Sequence, residues 1–298
     1  MEIKQVGVVG CGLMGHGIVQ VAAQAGRSVV ALETEQAFLD KGLGRIRKSL
    51  TKLAERSVAK KGVPEAEAKA QADAAFARIQ GTTNEADLAD CDLVIEAILE
   101  NLDAKKALFE KLGGLCKPET IFASNTSSFP IGEMAAASGR PAHFIGLHFF
   151  NPVQLMRLVE VVRTDDTDPE VVAAGRAFGE AVGKSPVTCK DTPGFIVNRL
   201  LVPYMSQAFL MLERGDASKE DIDTAMQLGT GYPMGPITLT DYVGLDTTLS
   251  ILEGWVDRFP DEPAFVIPEL LRQKVSEGKL GRKTGEGFYR WDGDKKVG

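Results

Sequence analysis

This chain has few cysteines, no long apolar run and no excess of positive charge, and each absence removes a class of protein. Its four cysteines, Cys11, Cys91, Cys116 and Cys189, are scattered through 298 residues. They offer neither a disulfide framework nor a metal-ligand spacing. Reduced, buried thiols in a cytoplasmic protein are expected, and no metal. No stretch reaches the roughly eighteen consecutive apolar residues that would mark a bilayer span. The first apolar run begins at Val6 with no basic segment or cleavage-like site before it. A secretory signal is therefore not expected, and an Arg-rich, acid-poor transit segment is also missing. A net charge of −7 argues against nucleic acid or an anionic membrane as partner. Repeats and low-complexity segments are absent too.

What is present suits an ordinary soluble globular protein long enough for two domains. Short apolar runs at Val6–Gly10, Ser28–Leu32, Asp92–Ala97, Ile121–Ser124, Phe144–Phe149 and Leu158–Val162 read as strands. Helical patterns alternate with them, from Met14 to Ala25 and from Ala104 to about Leu115. That alternation implies βαβ units and a parallel sheet. Residues 41–61 break the rhythm as one long helix, with a partner from Pro64 to about Arg78, and predict a helical hairpin inserted into the sheet domain. After Lys190 the composition changes. Asp191-Thr192-Pro193-Gly194 reads as a turn, followed by helices at 195–212, 218–228, 245–258 and 268–277. Ser218 followed by Asp221 reads as a capping box with Asp in place of Glu. The expected architecture is an α/β Rossmann-type domain over residues 1–190, then an all-α domain over 191–298.

Gly10-Cys11-Gly12-Leu13-Met14-Gly15 closes the first strand with G-x-G-x-x-G spacing. Glycines so placed allow a tight strand-to-helix turn and close backbone approach to a pyrophosphate, which then sits on the helix N-terminus. Glu33 ends the next strand, about 20 residues on, where a carboxylate accepts hydrogen bonds from the adenosine ribose. That charge, with Glu35 nearby, repels a 2′-phosphate, so NAD is favoured over NADP.

A second constellation lies downstream. His148 falls in Gly146-Leu147-His148-Phe149-Phe150-Asn151-Pro152, and Glu160 is embedded in Leu158-Val159-Glu160-Val161-Val162. Burying Glu160 without a partner would cost several kcal/mol. Pairing with His148 would stabilise the protonated ring and fix its tautomer. From these residues alone, a proton-transfer pair and a hydrogen-bonded core histidine are equally open. Residues 41–61 carry Lys41, Arg45, Arg47, Lys48, Lys52, Arg56, Lys60 and Lys61 against the single acid Glu55. In an acidic chain this suits an anionic ligand such as the phosphates of coenzyme A, or equally a solvated helix.

Taken with Glu96-Ala97-Ile98-Leu99-Glu100-Asn101, Ser124-Asn125-Thr126-Ser127-Ser128, Asp191-Thr192-Pro193-Gly194-Phe195-Ile196-Val197-Asn198-Arg199, Gly231-Tyr232-Pro233-Met234-Gly235-Pro236 and Lys283-Thr284-Gly285-Glu286-Gly287-Phe288-Tyr289, these motifs carry a family likeness. The chain resembles the L-3-hydroxyacyl-CoA dehydrogenases of fatty-acid β-oxidation and butyrate-type metabolism over nearly its whole length. The resemblance implies NAD-dependent oxidation of (3S)-3-hydroxyacyl-CoA, with His148 as general base and Glu160 as its partner. Ser127 and Asn198 would hold the substrate oxygen, with Asn151 as a further substrate contact. Cofactor contacts would be Gly10, Gly12, Leu13, Met14, Gly15, Glu33, Asn125 and Lys283, with Glu100 and Lys105 as a charged pair nearby. Ser49 and Arg56 would meet coenzyme A, and a homodimer through the helical domain is implied. Glu33 departs from the family, where Asp is common; it keeps the charge and changes the reach. Two other readings stand beside this one. One is a dehydrogenase of the same fold for a free hydroxy or sugar acid such as gulonate; the other is a non-catalytic, crystallin-like NAD-binding protein.

Overall fold

Near-continuous apolar runs become strands buried on both faces, as strands flanked by crossover helices must be. In the computed structural model, which describes residues 2–297, the chain divides after Phe195 into two units. The first opens with β1 (Gln5–Val9), α1 (Gly15–Gln24) and β2 (Ser28–Leu32). The helices α2 (Gln36–Lys61) and α3 (Glu65–Ala77) follow, then β3 (Ile79–Thr82) and β4 (Leu93–Glu96). Next come α4 (Leu102–Leu115), β5 (Ile121–Ser124), α5 (Ile131–Ala137) and β6 (Phe144–Phe149). The unit ends with β7 (Leu158–Arg163), α6 (Pro169–Ala181) and β8 (Ser185–Lys190).

The strands form one sheet in the order β3-β2-β1-β4-β5-β6-β7-β8. Alternate residues serve opposite faces. Val8, Ile95, Ala123 and Leu147 pack with α1, α2 and α6, whereas Val94, Phe122 and Phe144 pack with α4 and α5. Phe109 of α4 meets Phe144 edge-on at 4.6 Å, an arrangement worth about 1 kcal/mol beyond burial. The strand order reverses between β1 and β4. In open α/β sheets that reversal leaves a crevice at the carboxyl ends of the strands, where ligands bind. The hairpin of α2 and α3 is the crossover from β2 to β3, and it packs against α1.

Two details refine the expected architecture. The sheet is not wholly parallel: β7 runs antiparallel to β6 and parallel to β8. Residues 150–157 are too short a link for a parallel crossover, which needs about a dozen residues or more. The second unit is the expected helical domain with one small addition. It holds α7 (Val197–Glu213), α8 (Lys219–Thr230), α9 (Pro236–Val243), α10 (Leu245–Arg258) and α11 (Glu269–Ser276), then a small hairpin of β9 (Trp291–Asp292) and β10 (Lys295–Lys296). Its helices gather around Phe209, Ile237, Leu252 and Trp255. At the start of α8 the Ser218 hydroxyl oxygen accepts the Asp221 amide at 3.1 Å. The Ser218 hydroxyl also donates to the Asp221 carboxylate at 2.7 Å, so the side chain that should return to the Ser218 amide is engaged with the hydroxyl instead. Among the described residues, no helix is long and apolar enough to cross a membrane.

Candidate active site

At the end of β1 the glycine turn is forced by space. A Cβ on Gly10 (φ +90°) would lie 2.7 Å from the Ala97 carbonyl oxygen, and one on Gly15 would lie 1.7 Å from the carbonyl oxygen of Gly10. Gly12 has the opposite surroundings, with no heavy atom within 4 Å of a built Cβ. The tight pair brings α1 hard against the sheet at the strand-order reversal, and the open one leaves room for another molecule's atoms to approach the backbone. In the first turn of α1 the His16 amide donates to the Gly12 carbonyl at 3.3 Å and the Gly17 amide to that of Met14 at 3.0 Å, and this turn lies at the helix's positive end. Leu13 is exposed and Met14 half-buried beside them. Glu33, at the end of β2, accepts the Cys11 amide at 2.6 Å, which fixes its carboxylate against the turn. Open glycine, helix N-terminus and fixed carboxylate together fit a dinucleotide. Burial, then the Glu33 charge, pushes the Cys11 thiol up to about 12, and burial pushes the Cys91 thiol to about 12 as well. All four cysteines are free.

The antiparallel turn of β7 decides the other half of the site. It sets His148 directly opposite Glu160 across the β6–β7 ladder. Both are buried, Glu160 completely. His148 Nδ1 lies 2.6 Å from a Glu160 carboxylate oxygen. An ionised carboxylate only accepts, so it assigns the Nδ1–H tautomer to the neutral ring. Nε2 is then the acceptor, 3.1 Å from the Ser127 hydroxyl. The rings of Phe150 and Phe195 flank the imidazole, at 4.5 and 5.5 Å between centroids. The result is a histidine with one nitrogen bound to a buried anion and the other turned toward a hydroxyl.

A charge network, buried at Lys105 and Glu96 and exposed at Glu100, holds Ser127. Lys105, 1% exposed, donates to Glu96 at 2.5 Å and lies 3.1 Å from Glu100. Glu96 also accepts the Ile98 amide at 2.8 Å and the Ser124 hydroxyl at 2.6 Å. One Glu100 oxygen accepts the Thr126 hydroxyl at 2.6 Å, the Ser128 hydroxyl at 3.0 Å and the Ser127 amide at 3.1 Å. Burial works against ionisation of Glu100, but Lys105 and these donors prevail and hold its carboxyl below the usual range. Asn125 ties β5 to β6 by accepting the Phe149 amide at 2.9 Å. The sequence reading included Glu100 and Lys105 and missed Glu96. The signal was available: an acid ending the apolar run Leu93-Val94-Ile95-Glu96, the same signature that singled out Glu160.

Family models match both units. One for the NAD-binding domain of 3-hydroxyacyl-CoA dehydrogenase covers residues 5–192, and one for its C-terminal domain covers residues 194–291. The chain belongs to the 3-hydroxyacyl-CoA dehydrogenase family. It is 49% identical over 290 residues to the mitochondrial hydroxyacyl-coenzyme A dehydrogenase of Sus scrofa, covering 97% of this chain and 91% of that protein. A probable 3-hydroxybutyryl-CoA dehydrogenase of Deinococcus radiodurans is 49% identical, over 96% of this chain and 99% of its own. Among solved structures, the (S)-3-hydroxybutyryl-CoA dehydrogenase of Ralstonia eutropha superposes with a TM-score of 0.91 at 41% identity, covering 98% of this chain and all of its own. As a member of this 3-hydroxyacyl-CoA dehydrogenase family the chain is an oxidoreductase that uses NAD.

The remaining family positions are on other elements of the chain. Asn151 is exposed in the link between β6 and β7. Ser49 is half-buried and Arg56 exposed on α2. Arg47 is committed to the hairpin, 3.0 Å from Asp73 and stacked 3.8 Å over Phe76. It is the only cation of residues 41–61 with an acidic partner among the described residues. Asn198 stands in the first turn of α7, in the second unit. Lys283, also in the second unit, is ion-paired with Asp246. The segment around it wraps a carboxylate that the sequence reading did not single out. Buried Asp241 accepts the amides of Phe288 and Tyr289 at 2.9 and 2.8 Å and the Trp291 indole N–H at 3.0 Å. Buried Asp223 accepts the Tyr289 hydroxyl at 2.9 Å. Much of the C-terminal motif is thus a fastening of the second unit.

Proposed function

We propose that this chain catalyses the NAD-dependent oxidation of (3S)-3-hydroxyacyl-CoA to 3-oxoacyl-CoA, and the reverse, on short chains such as 3-hydroxybutyryl-CoA. One observation carries the reading: His148 is bound by Glu160 on one ring nitrogen and faces Ser127 with the other. In oxidation Nε2 takes the proton of the C3 hydroxyl, and Glu160 offsets the positive charge that forms on the ring. NAD, when bound, would supply the hydride acceptor for C3. In reduction the imidazolium returns its proton to the carbonyl oxygen. Ser127, with Asn198 by family likeness, holds that oxygen and stabilises the charge developing on it.

The same reading assigns the ends of both ligands. Gly10, Gly12, Leu13, Met14, Gly15 and Glu33 take the adenosine and pyrophosphate side of the cofactor. Glu100, Lys105 and Asn125 serve its nicotinamide side, and Lys283 is a further contact. Ser49, Arg56 and the exposed cations of α2 take the phosphates of coenzyme A, and Asn151 meets the acyl end. The names of the Deinococcus and Ralstonia relatives favour the short-chain thioester over a sugar acid. The test is turnover of acetoacetyl-CoA with NADH, followed by loss of nicotinamide absorbance. Turnover of gulonate with NAD and none of the thioester would overturn the reading, as would cofactor binding with no turnover of either.

Two finer readings accompany it. Self-association into a homodimer through the helical unit is supported by exposed apolar side chains there, Leu200 and Leu228 most of all at 69% and 83%. A cytoplasmic, reducing location is supported by four free cysteines, three of them buried.

A further inference from the structure

Lys184 is a buried cation that the proton-transfer pair does not touch. It is 9% exposed, and no acid pairs with it among the described residues. Its ammonium donates instead to two backbone carbonyls, those of Val153 and, at 2.9 Å, Met156. Burial pushes its pKa below the usual lysine range. Keeping an unpaired charge inside costs stability relative to an apolar side chain of the same size, so packing alone does not account for a lysine here. Its placement is built into the fold. Gly183, at φ +78°, reverses the chain after α6, and the Lys184 amide bonds back to Gly179 at 2.9 Å.

The two carbonyls belong to the link between β6 and β7, and that link touches both halves of the site. Its first residue, Phe150, packs its ring against His148 at 4.5 Å between centroids, tilted by 52°. Val153 sits against α1 at Gly17, where a Cβ would come within 2.7 Å of it. Gln154 donates to Gln20 of the same helix at 3.2 Å. The amides of Leu155 and Met156 both turn in to the Pro152 carbonyl, at 2.9 and 3.0 Å. Lys184 therefore holds a turn that spans from the histidine to the helix of the glycine turn.

We propose that Lys184 is a positioning residue for the dehydrogenase reaction. Its ammonium fastens the β6–β7 link so that Phe150 keeps the His148 ring in place and the link keeps its seat on α1. The inference rests on His148 acting as proposed above. A displacement of about 1 Å at a reacting centre can cost about a hundredfold in rate. Lys184→Met keeps the volume and removes the donors. It should lower kcat at least about tenfold while leaving the KM for NADH nearly unchanged. Lys184→Arg, which can still donate to both carbonyls, should restore most of the loss. Hydrogen exchange at the Leu155 and Met156 amides should speed up in Lys184→Met and stay slow in Lys184→Arg. A Lys184→Met enzyme with kcat near wild type, even with faster exchange or a lower Tm, would reduce Lys184 to a structural role and overturn the proposal. Should that variant not fold, Lys184→Gln, with shorter reach and no charge, decides by the same kcat, KM and exchange readings. Inactive wild-type enzyme would refute the proposed reaction, whereas wild-type activity in the variant would refute only the role of Lys184.

Discussion

Replacing Glu160 by Gln is the most direct perturbation of the site, because the side chain keeps its shape and loses only its charge. Glu160 is fully buried and 2.6 Å from His148. The amide oxygen can still accept Nδ1–H, so the ring keeps its tautomer and the loss falls on the charged form. With roughly 4 Å between charge centres and an effective dielectric constant of about 20, the lost attraction is about 4 kcal/mol. At about 1.4 kcal/mol per decade that is near a thousandfold in rate. Loss of the base itself, in His148→Gln, should cost about 10²–10⁴. If the two act as one unit, the double variant should be hardly worse than His148→Gln alone, far short of the product of the two effects. The assay is steady-state kcat with acetoacetyl-CoA and NADH, alongside NADH affinity, which should change little because the glycine turn is untouched. Multiplicative losses would show independent roles and refute the pair. A His148→Gln enzyme with near-normal kcat would refute the mechanism itself.

Three further outcomes are expected. Thr34→Arg should improve NADPH relative to NADH, because it places a cation beside Glu33 where a 2′-phosphate would lie; strong NADPH use by the wild type would contradict this. Neutralising Lys48, Lys52 and Arg56 together should raise the KM for acyl-CoA and weaken its salt dependence, and an unaltered KM in a folded variant would move the phosphates elsewhere. Glu100→Gln should lower stability at neutral pH. Since the Glu100 carboxyl is held below its ordinary value of 4.5, its stabilisation is present above that pH and is lost as pH falls through the lower folded value. The gap in Tm between variant and wild type should therefore narrow on acidification, and a gap that widens would contradict the assignment.

Much of this molecule is written in local patterns. The glycine spacing, the apolar strands β1, β2, β4, β5 and β6, and the amphipathic helices all follow from short-range steric and hydrophobic rules, which act wherever the chain ends up. Residues set against their surroundings were legible for the same reason: Glu160 inside an apolar run needs a partner, and the cations of α2 stand out in an acidic chain. The strands of the eight-stranded sheet that escaped notice, β3 and β8, are its two edges. Exposed on one side, they have no need of apolar residues; Ile79-Gln80-Gly81-Thr82 is half polar, and β8 carries Pro186, which an edge tolerates.

Other features exist only after the chain has folded. The direction of β7 is decided by the short link that precedes it, and that direction sets His148 across from Glu160 rather than merely twelve residues away. Glu96, Lys105, Glu100 and Ser127 become one network because β4, α4 and the end of β5 converge. Asp241 and Lys184 find their partners 47 and 31 residues away in the chain. Sequence alone determined which residues could do chemistry, since that depends on side-chain type and local spacing. Which of them touch was left to long-range packing, because hydrogen bonds and ion pairs across a sheet depend on strand order and direction.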